Sequence, residues 1–140
     1  MSDRYFLDTN VFVYSFDQTS PRKRKRALEL IGDAIMARNG IVSYQVVQEF
    51  FNVALRRFAE PMKGSEAEQY LATVFRPLLA VHSSPALYVE ALRLSSRYGL
   101  HWYDSLIVAA ARESKCSVLY SEDLQSGMRI DALSVQNPFL

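Results

Sequence analysis

The first apolar run, Tyr5-Phe6-Leu7, stops at Asp8 and predicts a short buried strand. Thr9-Asn10 leads into Val11-Phe12-Val13-Tyr14, a stretch that suits strand and helix equally. Ser20-Pro21 is a helix start, with serine as N-cap and proline in the first turn. Ala27, Leu28, Ile31, Ala34 and Ile35 recur at helical spacing, so this helix is predicted to reach Arg38, with Asn39-Gly40 ending it. Ile41-Val42-Ser43 predicts a second strand. Val46, Val47, Phe50, Phe51, Ala54, Leu55 and Phe58 then predict an amphipathic helix to Ala59. Glu60 to Gly64 reads as a loop, and Ser65-Glu66-Ala67-Glu68 opens another helix. Leu78-Leu79-Ala80-Val81 is a third strand, and Ser84-Pro85 starts a helix that Gly99 closes. His101 to Asp104 precedes a helix with a wholly apolar interior, Leu106 to Ala111. Ser117-Val118-Leu119-Tyr120 is a fourth strand, followed at once by Glu122-Asp123. Ala132 to Val135 is a final short one.

Strands alternating with helices predict an α/β domain with a largely parallel sheet covered on both faces. A length of 140 residues suits one domain, 1–140. With 49% hydrophobic and 22% charged residues, the chain is neither disordered, nor collagen-like, nor a long coiled coil. The longest unbroken apolar run is Leu106 to Ala111, far short of the roughly 20 residues of a membrane span. Met1-Ser2-Asp3-Arg4 has no basic segment followed by an apolar one, so no secretory signal is expected. A single cysteine, Cys116, leaves no internal disulfide and no multi-cysteine metal site, and a cytoplasmic location is expected. Cys116 itself reads as a small buried hydrophobe.

In open parallel sheets, functional residues gather at the carboxyl ends of the strands. Asp8 follows the first strand, and Glu122 and Asp123 follow the fourth. Asp104 precedes the apolar helix, and Glu49 lies in the first turns of the helix after strand two. Converging carboxylates repel one another, and a hard cation such as Mg²⁺ or Mn²⁺ resolves this. Such a site suits in-line displacement at a phosphodiester. Each acid also has a plainer reading: a turn residue for Asp8 and Asp123, and a helix-dipole acid for Asp104. Glu49 lies off the centre of its helix's apolar stripe, where a solvated residue is the simpler reading. Spacing alone leaves these alternatives open.

The segments carrying the acids are Phe6-Leu7-Asp8-Thr9-Asn10-Val11, Val47-Gln48-Glu49-Phe50, Tyr103-Asp104-Ser105-Leu106-Ile107-Val108 and Leu119-Tyr120-Ser121-Glu122-Asp123-Leu124. Together they resemble the PIN-domain ribonucleases, and most of all the VapC-type toxins of bacterial toxin–antitoxin pairs. The likeness covers nearly the whole chain, including Tyr14-Ser15-Phe16-Asp17 and Asn137-Pro138-Phe139. It implies a three-layer α/β/α sandwich with a central parallel sheet. It implies metal-dependent endonucleolytic cleavage of RNA, with Asp8, Glu49, Asp104 and Asp123 as catalytic acids. Asp8, Asp104 and Asp123 would hold Mg²⁺ or Mn²⁺, and Glu49 would complete the site. Asn10 and Ser121 match polar positions that support such a site, and Glu122 adds an auxiliary carboxylate. His101 departs from the pattern, where a small polar residue is commoner. The resemblance further implies a homodimer and a cognate antitoxin protein. An RNA-binding or RNA-processing protein without a toxin role is the alternative.

Net charge is +1, from 16 bases against 15 acids. Setting aside the four site acids leaves 16 bases against 11, a mildly basic surface. Arg22-Lys23-Arg24-Lys25-Arg26 opens a predicted helix, where positive charge opposes the dipole. Phosphate contacts along RNA and a solvated helix start are both open readings of that run. Phe50, Phe51 and Phe58 have core or interface spacing, with base stacking the alternative. A phosphoacceptor receiver domain also gathers acids at strand ends, but it wants an aspartate after the middle strand and a lysine after a later one. Here Val81-His82 follows the third strand, and Lys115 precedes the last clear one.

Overall fold

The computed structural model describes residues 3–140. Its elements are β1 (Tyr5–Leu7), α1 (Thr9–Tyr14), α2 (Pro21–Ala37), β2 (Gly40–Ser43), α3 (Tyr44–Ala54) and α4 (Gly64–Tyr70). A π turn over Leu71–Phe75 continues α4 into α5 (Arg76–Leu78). Then come β3 (Leu79–Val81), α6 (Pro85–Tyr98), α7 (Trp102–Glu113), β4 (Val118–Tyr120), β5 (Arg129–Ile130) and β6 (Leu133–Gln136). The six strands lie in the order β3-β2-β1-β4-β6-β5. All neighbours are parallel except the β5–β6 hairpin, which turns through Asp131 at φ 54°. That hairpin is absent from the sequence-based expectation, because β5 is only two residues long.

Two helix layers flank the sheet. α6 packs along α7, and α7 lies against β2 and β4. On the other side α1 packs on α2 and α3, and α2 lies against β2. The arrangement is a three-layer α/β/α sandwich. β1 sits at its centre, with Phe6 and Leu7 fully buried. Burial on both faces accounts for the unbroken apolar reading of this strand. Cys116 is buried just before β4, and burial pushes its thiol up to about 12, which makes it unreactive.

Local chemistry explains where the elements start and stop. Thr9–Tyr14 is helical because Asp8 caps it: the Thr9 N–H donates to Asp8 Oδ1 at 2.7 Å. Ser84 Oγ accepts from the Leu87 N–H at 3.0 Å, and Gly99 closes α6 at φ 68°. The end of α2 differs from expectation. Arg38, not Gly40, takes the left-handed position, at φ 57°. Gly40 is needed for packing instead, since a Cβ there would stand 2.2 Å from the Ala34 Cβ. α3 ends at Ala54 rather than Ala59, because the Met62 N–H takes the Ala54 carbonyl and the chain turns back. Phe58 then reaches Phe16 from a loop, and joins Phe50, Tyr70 and Phe75 in an aromatic cluster under α1 and α3.

Candidate active site

β1 and β4 are adjacent, and the chain proceeds from β1 in one direction across the sheet and resumes at β4 in the other. Ligands in such sheets bind outside the carboxyl ends of the strands at this reversal. Asp8 and Ser121 both stand there. The Asp8 N–H donates to the Tyr120 carbonyl at 3.0 Å, which extends the β1–β4 pairing to the last residue before the site.

Asp8 is 4% exposed, and its two oxygens are held by separate donors. Oδ1 accepts from the Thr9 N–H, and Oδ2 accepts from Ser121 Oγ at 2.8 Å. Burial pushes its carboxyl up to about 7, against an ordinary 3.8. The two hydrogen bonds pull it down, while the charges of Asp123 and Glu49 add to the rise. Asp104, in the first turn of α7, is also raised, by burial first and then by Asp123. His101 lowers it, and Glu49 raises it. Asp8 and Asp104 therefore both sense Asp123 and Glu49. The four acids occupy one electrostatic neighbourhood, although they come from β1, α3, α7 and the loop after β4.

Glu49 is half-buried and fixed at both oxygens. Thr9 Oγ1 donates to Oε1 at 2.7 Å, and Gln45 Nε2 donates to Oε2 at 3.3 Å. Gln45 Nε2 also reaches the Tyr103 carbonyl at 3.1 Å, which ties α3 to the start of α7. The helical pattern suggested a solvated Glu49, but these bonds turn it toward the other acids. Thr9 and Gln45 escaped the sequence reading. The signal for Gln45 was its place four residues before Glu49, on the same helix face.

Asn10 lies beside Asp8 in sequence, and both polar atoms of its side chain are buried without a partner. Glu122 is turned elsewhere. Tyr14 Oη donates to its Oε1 at 2.5 Å, and Lys23 Nζ donates to its Oε2 at 2.6 Å. Burial pushes the Glu122 carboxyl up, but these bonds bring it below its ordinary value overall. The expected auxiliary carboxylate is thus occupied in a buttress beside the site. His101 stands exposed at the N-cap of α7, and its nearby charge acts on Asp104.

The basic run is mostly engaged within the fold. Arg22 Nη1 donates to the Phe139 carbonyl at 2.6 Å, and Arg26 Nε to the Pro138 carbonyl at 3.2 Å. With Lys23 on Glu122, three of the five bases fasten the C-terminal segment and the loop after β4.

The donor set is carboxylate oxygen with a neighbouring unpartnered amide, and no lysine or arginine pairs with the four acids among the described residues. That chemistry fits a hard divalent cation. Among the described residues no three His, Cys, Asp or Glu side chains form a ready cage for a metal. Mg²⁺ commonly uses one or two carboxylates and keeps several waters, so a cage is not required. A cavity of about 670 Å³ between Phe16, Val53, Arg57 and Phe58 holds none of the four acids.

Solved structures similar to this one include a toxin–antitoxin complex from Klebsiella pneumoniae, with a TM-score of 0.67 and 19% identity over 96% of this chain and 98% of that one. VapC20 of Mycobacterium tuberculosis, described as a sarcin–ricin loop cleaving toxin, gives 0.61 and 21% over 85% and 89%. VapBC2 from Rickettsia felis, bound to a fragment of its promoter DNA, gives 0.62 and 20% over 95% and 97%. At these identities the likeness speaks for the fold. No curated protein matches the sequence significantly. The sequence profile of the PIN domain matches residues 5–126, a span that holds all four acids together with Thr9, Asn10, Gln45 and Ser121, and the chain belongs to the PIN domain family.

Proposed function

We propose that this chain is a metal-dependent endoribonuclease, with Mg²⁺ or Mn²⁺ as its cofactor, and that it serves as the toxin of a toxin–antitoxin pair. The observation that carries the reading is the Asp8 carboxylate, held by Ser121 and Thr9 and raised first by burial and then by the charges of Asp123 and Glu49. Asp8, Asp104 and Asp123 would hold the cation, which would supply Lewis-acid activation of water and offset charge on the phosphate. Glu49, fixed by Thr9 and Gln45, orients the attacking water for in-line approach. Asn10 adds hydrogen-bonding capacity beside Asp8.

The partners in this reading are an RNA substrate, a cognate antitoxin and a second copy of the chain. Two of the similar structures are described as toxin–antitoxin or VapBC assemblies, which supports the antitoxin. The exposed Val89 and Leu92 on α6, which do not line the cavity described below, support a homodimer. No described helix is long and apolar enough to cross a membrane. A cytoplasmic location belongs to the same proposal.

The test is incubation of the purified protein with single-stranded and structured RNA, in Mg²⁺, Mn²⁺ or EDTA, beside a folded Asp8→Asn variant. Cleavage that needs metal and disappears in the variant is the expected result. Equal cutting by both proteins, or metal-independent cutting, overturns the reading. Growth arrest on expression, relieved by a co-encoded partner, separates the toxin role from RNA processing.

A further inference from the structure

A second cavity, of about 240 Å³, opens beside the acids at the carboxyl ends of β2 and β3. Ser43, Tyr44, Gln48, His82, Trp102 and Tyr103 line it. We propose that it is a stacking site for one unpaired base of the RNA, next to the bond that is cut. This rests on the endoribonuclease reading and adds to it the element that engages a base.

Position is the first argument. Tyr103 directly precedes Asp104, and its carbonyl accepts from the Gln45 amide that also holds Glu49. A base seated here belongs to a nucleotide whose phosphate backbone runs past the acids. Exposure is the second argument. Tyr44, Trp102 and Tyr103 are 39%, 37% and 64% exposed, although they sit at the starts of helices with ample core nearby. Two of the rings are held in place: Tyr44 lies edge-on to His82 with centroids 4.3 Å apart, and Trp102 meets Tyr88 at 6.0 Å. Phe50, by contrast, is fully buried and cannot stack on anything outside the core.

Ser43 supplies an independent observation. It is 4% exposed and occupies the N-cap position of α3, yet its hydroxyl makes no capping bond and has no partner. An unsatisfied buried hydroxyl is costly, and the edge of a base provides both donors and acceptors to satisfy it. The volume lies below the range of about 300–1,000 Å³ for drug-sized ligands, which suits one planar ring. Stacking on aromatic rings tolerates any base, so the rings supply affinity, and Ser43 with Gln48 supplies the preference among bases.

The chain has one tryptophan, Trp102, and it lies in this lining, so the site carries its own reporter. The experiment titrates the full-length Asp8→Asn protein, in Mg²⁺, with a single-stranded oligoribonucleotide and with an abasic oligomer of the same backbone. Quenching of Trp102 by the first and not by the second is expected. Tyr103→Ala should weaken binding of a labelled oligoribonucleotide about tenfold, and Tyr103→Phe, which keeps the ring, should restore it. Wild-type protein is assayed for cleavage in parallel. If it cuts RNA while the base-bearing and abasic oligomers bind alike, the base site is overturned and the nuclease reading stands. If it neither cuts nor binds RNA, both fall. Shielding of Trp102 that grows with protein concentration before RNA is added also overturns the proposal, because a second copy then covers the cavity.

Discussion

Ser121 and Asp8 stand 113 residues apart in sequence, yet Ser121 Oγ donates to Asp8 Oδ2 at 2.8 Å across the β1–β4 pair. The bond is buried, and it favours the charged form of a carboxylate that burial would otherwise neutralise. Ser121→Ala removes it and should shift the acid limb of the pH–rate profile upward. At neutral pH cleavage should fall roughly ten- to a hundredfold, the equivalent of about 1.5–3 kcal/mol for a hydrogen bond to a charged group. Much of the loss should return at higher pH. A lowered rate with an unmoved pH profile would show that Ser121 acts in some other way.

Asp8 also sets a stability signature for the metal-free protein. Its folded value of about 7 exceeds the ordinary 3.8. Between these values the folded state binds more protons than the unfolded one, so stability falls as pH rises through that window. At about 1.4 kcal/mol per pH unit the loss is bounded at about 4 kcal/mol. In EDTA, the gap in urea-derived stability between Asp8→Asn and wild type should widen in favour of the variant from pH 4 to pH 7.5. Mg²⁺ should narrow the gap at pH 7.5 by stabilising wild type alone. A gap that stays constant with pH contradicts this account.

Two neighbouring acids should behave differently. Asp123 is exposed, and its charge raises both Asp8 and Asp104. Glu122 spends both oxygens on Tyr14 and Lys23. Asp123→Asn should lower cleavage by a hundredfold or more, on the scale of about 2.7–4 kcal/mol for one electrostatic contributor to the transition state. Glu122→Gln keeps acceptor and shape, and should hold kcat within about threefold, as do substitutions away from such features. Equal losses in the two variants would give Glu122 the auxiliary role at the site that the resemblance implies.

The acids were legible because each lies at the carboxyl end of a strand or in the first turns of a helix, places where an α/β sheet collects its chemistry. Glu49 illustrates the limit. Its helical phase pointed to solvent, and only the bonds from Thr9 and Gln45 turn it inward. Those partners come from a different strand end and from one turn earlier, and hydrophobic periodicity carries no record of either. The partners of Glu122 were hidden for a similar reason. Its partners Tyr14 and Lys23 are 108 and 99 residues away, and one of them sat inside a charge run that invited a nucleic-acid reading. Strands β1 to β4 were readable from apolar runs, whereas two-residue β5 had no run to read.

The basic run yields the last prediction. Phe139 is 2% exposed, its ring meets Tyr14 at 4.9 Å, and its carbonyl receives Arg22. Phe139→Ala should destabilise the fold by about 3–5 kcal/mol, the usual cost of emptying a buried phenylalanine site. Exposed Lys25→Ala should move stability by no more than about 0.5 kcal/mol. If Arg22 serves the fold, Arg22→Ala lowers the unfolding midpoint and leaves the salt dependence of RNA affinity unchanged. A base that contacts phosphate behaves in the opposite way, since its removal cuts the log–log salt slope by about 1 with little effect on folding. The slope and the midpoint therefore assign Arg22 to the C-terminal fastening or to the RNA.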